Sequence, residues 1–415
     1  SHKLPKPQLI ASVPIEDYVI PLLLLILVFS TNNRLILFMK PIAFLMISAV
    51  LFLSIASKRG FSRGAPLKYL FFGFVFLIGI SFIYTGDRSA FKDYIPYIIA
   101  ALVFVVFEFD DYFYSIFFKL FSLLFWVFIA SMYLELISPS LFGSIFSFLS
   151  LGKNLVVRSV DGIAIAGLAF EKADAAFLCN MGLGVLFAKI FTRGLNPKFI
   201  IQLGIVFGAL MMTGKRTLFL IPLVSIVAFA LLFSRSHRVV KAMAVLLAVF
   251  AFLAVAYTFI PQVSLVFERL LSDNGDPLSG REVFWTYAME MFRSSPLVGR
   301  GFLSFNAYVN GRGFLYYGEP WRFQAHNVYL QLLAELGIIG LLLFISMLVV
   351  LLFGLGRSAK KDPNIFTLSA FYWTVLIVIY SLTGNTIYYA CQLMVFAVTI
   401  GIYLKYLSPW EGYSK

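Results

Sequence analysis

The sequence has few charged residues and few cysteines, and each shortage excludes a class of protein. Only 13% of its 415 residues are Asp, Glu, Lys or Arg, whereas 61% are apolar. A soluble domain has about 25% charged and about 45–50% apolar residues. A water-soluble globular enzyme and a disordered chain are therefore excluded. The two cysteines, Cys179 and Cys391, each lie inside an apolar run, so no disulfide framework is predicted.

The sequence also lacks the motifs that bind nucleotides and metals. It has no Gly-rich loop ending in Lys-Ser or Lys-Thr and no dinucleotide fingerprint. Its three histidines, His2, His237 and His326, are far apart in sequence, so no zinc site is predicted. We therefore expect no cofactor and no metal. The net charge of +13 does not indicate nucleic acid binding, because no soluble basic domain is present to carry it.

Long apolar runs, such as residues 337–356, predict an all-α integral membrane protein. Unbroken runs disfavour an outer-membrane barrel, whose strands alternate apolar and polar residues. We expect about twelve transmembrane helices. Residues 1–260 hold helices 1–9, residues 261–325 form an extramembrane lobe, and residues 326–415 hold helices 10–12. The predicted spans are 18–31, 34–56, 68–86, 93–109, 112–138, 173–192, 198–213, 217–234, 240–260, 327–356, 365–383 and 385–405.

The distribution of Lys and Arg predicts the orientation. Four short connections on one side carry thirteen cations against one acid. An excess of Lys and Arg in short loops marks the cytoplasmic side. Both termini are then predicted to be cytoplasmic, and residues 139–172 and 261–325 to be external. The thirteen cations are Lys58, Arg59, Arg63, Lys68, Lys189, Arg193, Lys198, Arg235, Arg238, Lys241, Arg357, Lys360 and Lys361.

The external lobe is rich in arginine against the positive-inside trend, and its pattern at residues 281–292 predicts a helix. These arginines can neutralise a diphosphate without a metal, although some are expected to be ordinary surface charges. Arg281 is favoured, because Gly280 and Trp285 place it at a helix start. The six lobe arginines are Arg269, Arg281, Arg293, Arg300, Arg312 and Arg322.

Lys215 and Arg216 are two adjacent cations in a very short external connection between spans. Cations in this position need an anionic partner. One interpretation is a pair that reaches lipid head groups. The other is a phosphate clamp, since the planar guanidinium of arginine bonds phosphate oxygens in pairs.

His326 ends the external lobe and precedes the tenth span. An imidazole with an ordinary pKa near 6.5 suits proton transfer as a general base. The structural alternative is a helix-entry residue, with Asn327 helping to cap the helix. Glu171 and Asp174 flank Lys172 before the sixth span and form either a self-neutralising helix entry or part of the site. Glu335 lies about two and a half turns deeper and needs partners there.

Three segments in this order resemble a known superfamily, the bacterial O-antigen ligases and the related O-antigen and polysaccharide polymerases. The chain departs from it at residues 170–174, where many relatives carry an Asn-Pro-Asn-like stretch, and at Leu341, where many ligases have a glycine. The segments are Arg216-x-x-x-Leu220 after a Thr-Gly-Lys turn, Gly280-Arg281 with Trp285, and His326-Asn327 followed by Gly337-x-x-Gly340.

The resemblance implies a GT-C-like fold in the bacterial inner membrane, with a periplasmic active site in lipopolysaccharide biosynthesis. It implies a metal-independent glycosyltransferase whose donor is a glycan on undecaprenyl diphosphate. Direct displacement at the anomeric carbon would then invert its configuration. A ligase transfers that glycan to lipid A-core, and this is the first hypothesis. The alternative is a polymerase, whose acceptor is a second carrier-linked glycan. A lipid-linked glycan transporter is disfavoured, because no internal repeat is visible.

The residue types and their positions predict individual roles in this reaction. His326 would be the general base, and Arg216 and Arg281 would hold the diphosphate. The remaining candidates would help to bind the substrates; they are Lys215, Arg300, Arg312, Arg322, Asn327, Glu171 and Asp174.

Overall fold

The computed structural model describes fourteen α-helices, which we number in chain order, and a pair of two-residue antiparallel strands, Arg158–Ser159 and Gly162–Ile163. The helices are α1 Glu16–Phe29, α2 Lys40–Ala56, α3 Pro66–Ser81, α4 Arg88–Val106, α5 Asp111–Ile137, α6 Pro139–Ser150, α7 Lys172–Arg193, α8 Pro197–Met212, α9 Arg216–Phe233, α10 Arg281–Ser294, α11 Ser304–Gly311, α12 Val328–Lys361, α13 Ile365–Tyr380 and α14 Ala390–Tyr406. The structure describes residues 16–29, 40–57, 60–62, 65–85, 88–150, 158–159, 162–163, 165–169, 171–194, 196–233, 247, 251, 254–255, 257–259, 264, 280–314 and 323–406.

Four helices, α5, α7, α9 and α12, are long and apolar enough to cross a membrane. Six more described helices are apolar but shorter: α1, α2, α3, α8, α13 and α14. The chain is therefore an all-α, multi-pass membrane protein. Most of the predicted ninth span, 240–260, lies outside the described residues, so the number twelve stays a prediction.

Local signals set the helix ends, and the connection between the last two helices is longer than predicted. Asp110 and Asn196 accept hydrogen bonds from backbone N–H groups in the first turns of α5 and α8. The sequence predicted only one residue between its last two spans. The structure instead ends α13 at Tyr380 and begins α14 at Ala390. The intervening residues include Gly384 and several short polar side chains, which interrupt the apolar pattern.

The long helix α7 packs against α8, α9 and α13, while α12 packs against α3 and α13. Two glycines of α7 allow a close approach, Gly182 to α5 and Gly184 to α13. A Cβ on Gly182 would lie 2.0 Å from the Phe125 ring, and one on Gly184 would lie 2.6 Å from the Tyr372 ring. This packing brings the start of α7, the start of α12 and the 381–389 segment to one end of the helix bundle.

The lobe contains the predicted helix at 281–292, which the structure extends to Ser294 as α10. Together with α11 it encloses a small apolar cluster that is separate from the main core. Ala334 of α12 belongs to this cluster, so the lobe is packed directly onto the tenth predicted span. The buried members are Ala288, Met291, Phe305, Val309, Phe323, Ala325 and Ala334.

Helix α12 is interrupted at Gly337, which has φ 64° and ψ −166°. The loop before α11 replaces the helical hydrogen bonds that the interruption removes. A Cβ on Gly337 would lie 2.3 Å from the carbonyl oxygen of Leu297, so glycine is required. The bonds run from the N–H groups of Ile338 and Ile339 to Pro296 O (2.9 Å) and Leu297 O (3.3 Å), and from Arg300 and Gly301 to Ala334 O (3.1 Å) and Glu335 O (2.8 Å).

The orientation can be tested by thiol labelling. Cys179 and Cys391 are buried, and both can be removed from the background. Ser294→Cys in the lobe and Asp362→Cys after α12 both place the thiol at exposed positions. In intact cells, we expect an impermeant maleimide to label Ser294→Cys only, because the cation-rich loops mark the cytoplasm. Labelling of Asp362→Cys alone would show that the orientation is the reverse of the predicted one.

Candidate active site

His326 is held in place by hydrogen bonds to both of its neighbours in the chain. The Ala325 carbonyl accepts from Trp285 Nε1 (2.9 Å), and the Ala325 N–H donates to Gln331 Oε1 (3.1 Å). Asn327 caps α12 by accepting from the backbone N–H three residues later, as its position predicted. His326 itself has φ 51°, a left-handed conformation that is uncommon outside glycine. Its half-buried imidazole is thus fixed at the N-terminal end of α12.

The 381–389 segment connects His326 with Arg281. Asn385 Nδ2 lies 3.2 Å from Nδ1 of His326. The carbonyl of Thr383, two residues earlier, accepts from Nη1 of Arg281 at 3.2 Å. The Val328 N–H donates to the Ser381 carbonyl at 2.8 Å, which anchors the same segment to the start of α12. Two residues that sequence reasoning selected independently therefore share one support.

Burial, assisted by nearby positive charge, favours the neutral form of the His326 imidazole. Burial, followed by the positive charges of Arg281 and Lys215, lowers the pKa of His326 to about 4. Burial also lowers the pKa of Lys215, and the nearby carboxylate of Glu171 opposes this effect. At pH 7 the site therefore presents a neutral imidazole close to the side chains of Arg281 and Lys215.

The two acids before the sixth predicted span occupy different environments. Glu171 is exposed and caps α7, accepting from the Ala173 N–H at 3.3 Å. Asp174 is buried and accepts from Gln392 Nε2 of α14 at 2.9 Å. Both carboxylates act electrostatically on Lys215. In the part of the chain that the structure describes, no three His, Cys, Asp or Glu side chains group as metal ligands.

The other predicted arginines within the described residues make no hydrogen bond to the imidazole, and two more fall outside that part of the chain. Arg216 is exposed at the first residue of α9. Arg300 is exposed, with its guanidinium carbon 5.3 Å from the Tyr308 ring centroid. Arg312 pairs with Glu290 at 2.8 Å and lies over the same ring. Arg269 and Arg322 fall outside the residues that the structure describes.

Sequence reasoning missed the polar side chains of the last connection. Asn385 and Gln392 are buried, and each has a side-chain oxygen without a hydrogen-bond partner in the described structure, as do Thr383 and Gln324. Such oxygens can accept hydrogen bonds from sugar hydroxyls. One feature of the sequence could have indicated these side chains. The run Ser381-Leu-Thr-Gly-Asn-Thr386 is a polar interruption between two apolar stretches.

Comparison with known proteins covers the central part of the chain. Residues 201–345 match the family model described as O-antigen ligase. A segment of 121 residues, 27% of this chain, is 32% identical to the exopolysaccharide production protein ExoQ of Rhizobium meliloti (strain 1021). The segment spans 27% of that relative's own length. The resemblance to the superfamily of O-antigen ligases and polymerases is thereby confirmed. The matched range contains Lys215, Arg216, Arg281 and His326.

Proposed function

We propose that this chain, in which residues 201–345 match the O-antigen ligase family, transfers a glycan from undecaprenyl diphosphate to lipid A-core at the periplasmic face of the inner membrane. The observation that carries the proposal is the imidazole of His326, which the 381–389 segment joins to Arg281 and which lies within electrostatic reach of Lys215. A base next to fixed positive charge suits the activation of a hydroxyl and the departure of a diphosphate. The donor linkage supplies the free energy, so no nucleotide is required.

In the proposed step, Nε2 of His326 removes the proton from the acceptor hydroxyl. The hydroxyl oxygen forms a bond to the anomeric carbon as the bond from that carbon to the diphosphate oxygen breaks. The electron pair leaves with the diphosphate, and the anomeric configuration inverts. Arg281 and Lys215 stabilise the charge that develops on the leaving group.

Asn385 is suited to prepare the base. Proton uptake at Nε2 requires that Nδ1 of His326 carries the other proton. A half-turn of the Asn385 amide exchanges Oδ1 with Nδ2 and lets Oδ1 accept from Nδ1–H. Oδ1 is buried without a partner among the described residues, so this arrangement also satisfies it. The amide then fixes the tautomer that leaves Nε2 free.

A polymerase is the second candidate, and one comparison favours it. The relative named above is described as an exopolysaccharide production protein, and the name makes no reference to lipid A. In a polymerase, the acceptor hydroxyl belongs to the terminal sugar of a second carrier-linked glycan. The same base and cations serve both reactions, because only the acceptor differs.

Purified protein tests both hypotheses directly. A defined glycan on undecaprenyl diphosphate is incubated with lipid A-core in one reaction and with excess carrier-linked glycan in another. We expect a lipid A-core conjugate in the first reaction. Chain growth in the second reaction alone would assign a polymerase. If both lipids stay unchanged while the protein is folded, transferase activity is refuted.

Arg216→Lys is expected to lower the turnover about thirtyfold to several hundredfold, equivalent to about 2–4 kcal/mol. Arg216 is exposed next to Lys215, where its guanidinium can form two parallel bonds to the donor phosphate. An ammonium cannot reproduce both bonds. Arg312→Lys is the matched control and should change turnover little, because Arg312 already pairs with Glu290. Equal losses in the two variants would indicate a diffuse electrostatic field.

A further inference from the structure

Glu335 is a carboxylate on α12 that is completely buried and surrounded by hydrogen-bond donors. Oε1 accepts from the Phe305 N–H (3.1 Å) and from Gln331 Nε2 (3.2 Å). Oε2 accepts from the Leu303 N–H (2.9 Å) and from the Tyr388 hydroxyl (2.8 Å). Each oxygen therefore receives two hydrogen bonds. Full pairing of this kind is what a carboxylate inside a membrane protein needs.

The four donors come from three different parts of the site. The Oε1 atom of Gln331 accepts from the N–H of Ala325, the residue that directly precedes His326. Tyr388 lies in the 3₁₀ helix Thr386–Tyr388, directly after Asn385, which contacts the imidazole. Leu303 and Phe305 lie at the start of α11, in the lobe that also contains Arg281.

Glu335 also caps α11 from outside that helix. Leu303, the N-cap residue, has φ 65° and no side chain able to cap. The first N–H groups of a helix need acceptors from elsewhere. The Glu335 carboxylate supplies them, while its own backbone carbonyl accepts from the Gly301 N–H at 2.8 Å. The loop and the start of α11 are thus fixed to α12 by one residue.

We propose that Glu335 is the positioning residue of the site. It fixes the backbone of His326, the 381–389 segment and the lobe in one arrangement. The expected effect of Glu335 on turnover rests on the proposed function. Its structural role does not. Glu335 has no exposed surface and therefore acts through Gln331 and Tyr388 and not on substrate. A glutamine cannot replace it, because one of its two terminal groups is an NH₂ that would face two donors.

Two variants and a control test the proposal. Glu335→Gln disrupts the centre of the network, and Tyr388→Phe removes one donor while keeping the ring. Tyr329→Phe is the matched control, since the Tyr329 hydroxyl donates to the Val378 carbonyl at 2.9 Å from the same helix, α12, that carries Glu335. We expect kcat to fall about tenfold in Tyr388→Phe and more in Glu335→Gln, with KM for the donor little changed. Tyr329→Phe should remain near wild type.

The pH dependence of His326 provides a readout that does not depend on turnover. Diethyl pyrocarbonate reacts with the neutral imidazole. The rate at which it modifies His326, measured by peptide mass spectrometry, therefore reports the fraction of neutral imidazole at each pH. The charged groups acting on the imidazole are Arg281 of α10 and Lys215 of the α8–α9 turn, and Glu171 and Asp174 of α7 act on Lys215. In the two variants, a loosened site admits water, so we expect the midpoint to rise from about 4 towards 6.5.

The outcomes separate the positioning role from the reaction. A raised midpoint in Tyr388→Phe, with a melting temperature near that of wild type, supports positioning even if the purified protein transfers no glycan. A lower yield of folded protein with an unchanged midpoint and unchanged kcat per folded molecule would overturn it. If Glu335→Gln does not fold, Tyr388→Phe alone decides between these results.

Discussion

Replacing His326 with asparagine is expected to lower kcat by about a hundredfold to ten-thousandfold while the protein stays folded and inserted. General base catalysis contributes about this factor, and an amide cannot take up the proton. Asparagine is chosen because it tolerates positive φ, so the backbone at φ 51° is retained. Turnover of carrier-linked glycan by purified protein measures the loss, and the melting temperature in detergent checks the fold.

A second variant separates base catalysis from orientation of the acceptor. His326→Gly also accepts φ 51° but leaves a space where the ring was. Imidazole added to the buffer should restore part of the turnover of this variant and none of that of His326→Asn. Near-normal turnover of His326→Asn would make His326 an orienting residue, and the base would then be sought first at the buried Asp174 and next at Glu171.

The wild-type pH profile follows from the same residue. Burial and two cations hold the pKa of His326 at about 4 in the free protein. The imidazolium cannot accept a proton, so kcat/KM should fall as the pH drops through about 4. In the proposed complex, a bound diphosphate would offset the charges of Arg281 and Lys215 and raise the pKa of His326. The acidic limb of kcat should therefore lie at higher pH than that of kcat/KM.

Much of the membrane architecture could be predicted from the sequence, because a spanning helix requires a long apolar run. The start of the lobe helix α10 and the cap at Asn327 followed in the same way from local patterns. The boundary between the last two spans could not be predicted. The apolar residues on either side led to Thr383 and Asn385 being predicted as parts of the spans. The structure instead places both residues in the connection that supports His326.

The site was predictable as single residues and not as a network. The sequence indicated that Glu335 needs partners but could not identify Leu303, Phe305 or Tyr388, which are 30 to 53 residues away in sequence. Long-range pairs of this kind have no periodic signal. The sequence also could not explain the glycine of the motif at position 337. Glycine is required there because the loop at Leu297 approaches closely, and only the folded chain shows this contact.

The second large effect is expected at Arg281, where lysine and glutamine should give different pH profiles. Both substitutions should lower kcat about a hundredfold to a thousandfold, because neither side chain forms the paired bonds that a guanidinium makes to a phosphate. Arg281 contributes to the low pKa of His326, and lysine keeps that positive charge. The acidic limb of kcat/KM should therefore remain near pH 4 in Arg281→Lys.

In Arg281→Gln the positive charge is gone, so the imidazolium is less disfavoured and the pKa of His326 rises. Burial is the larger cause of the low pKa and persists, so the limb should move upward from about 4 but stay below 6.5. Arg293→Gln is the matched control, since Arg293 is exposed in the last turn of the same helix, α10. A large loss of kcat in Arg281→Gln with an unmoved limb would show that Arg281 holds the donor without acting on the base.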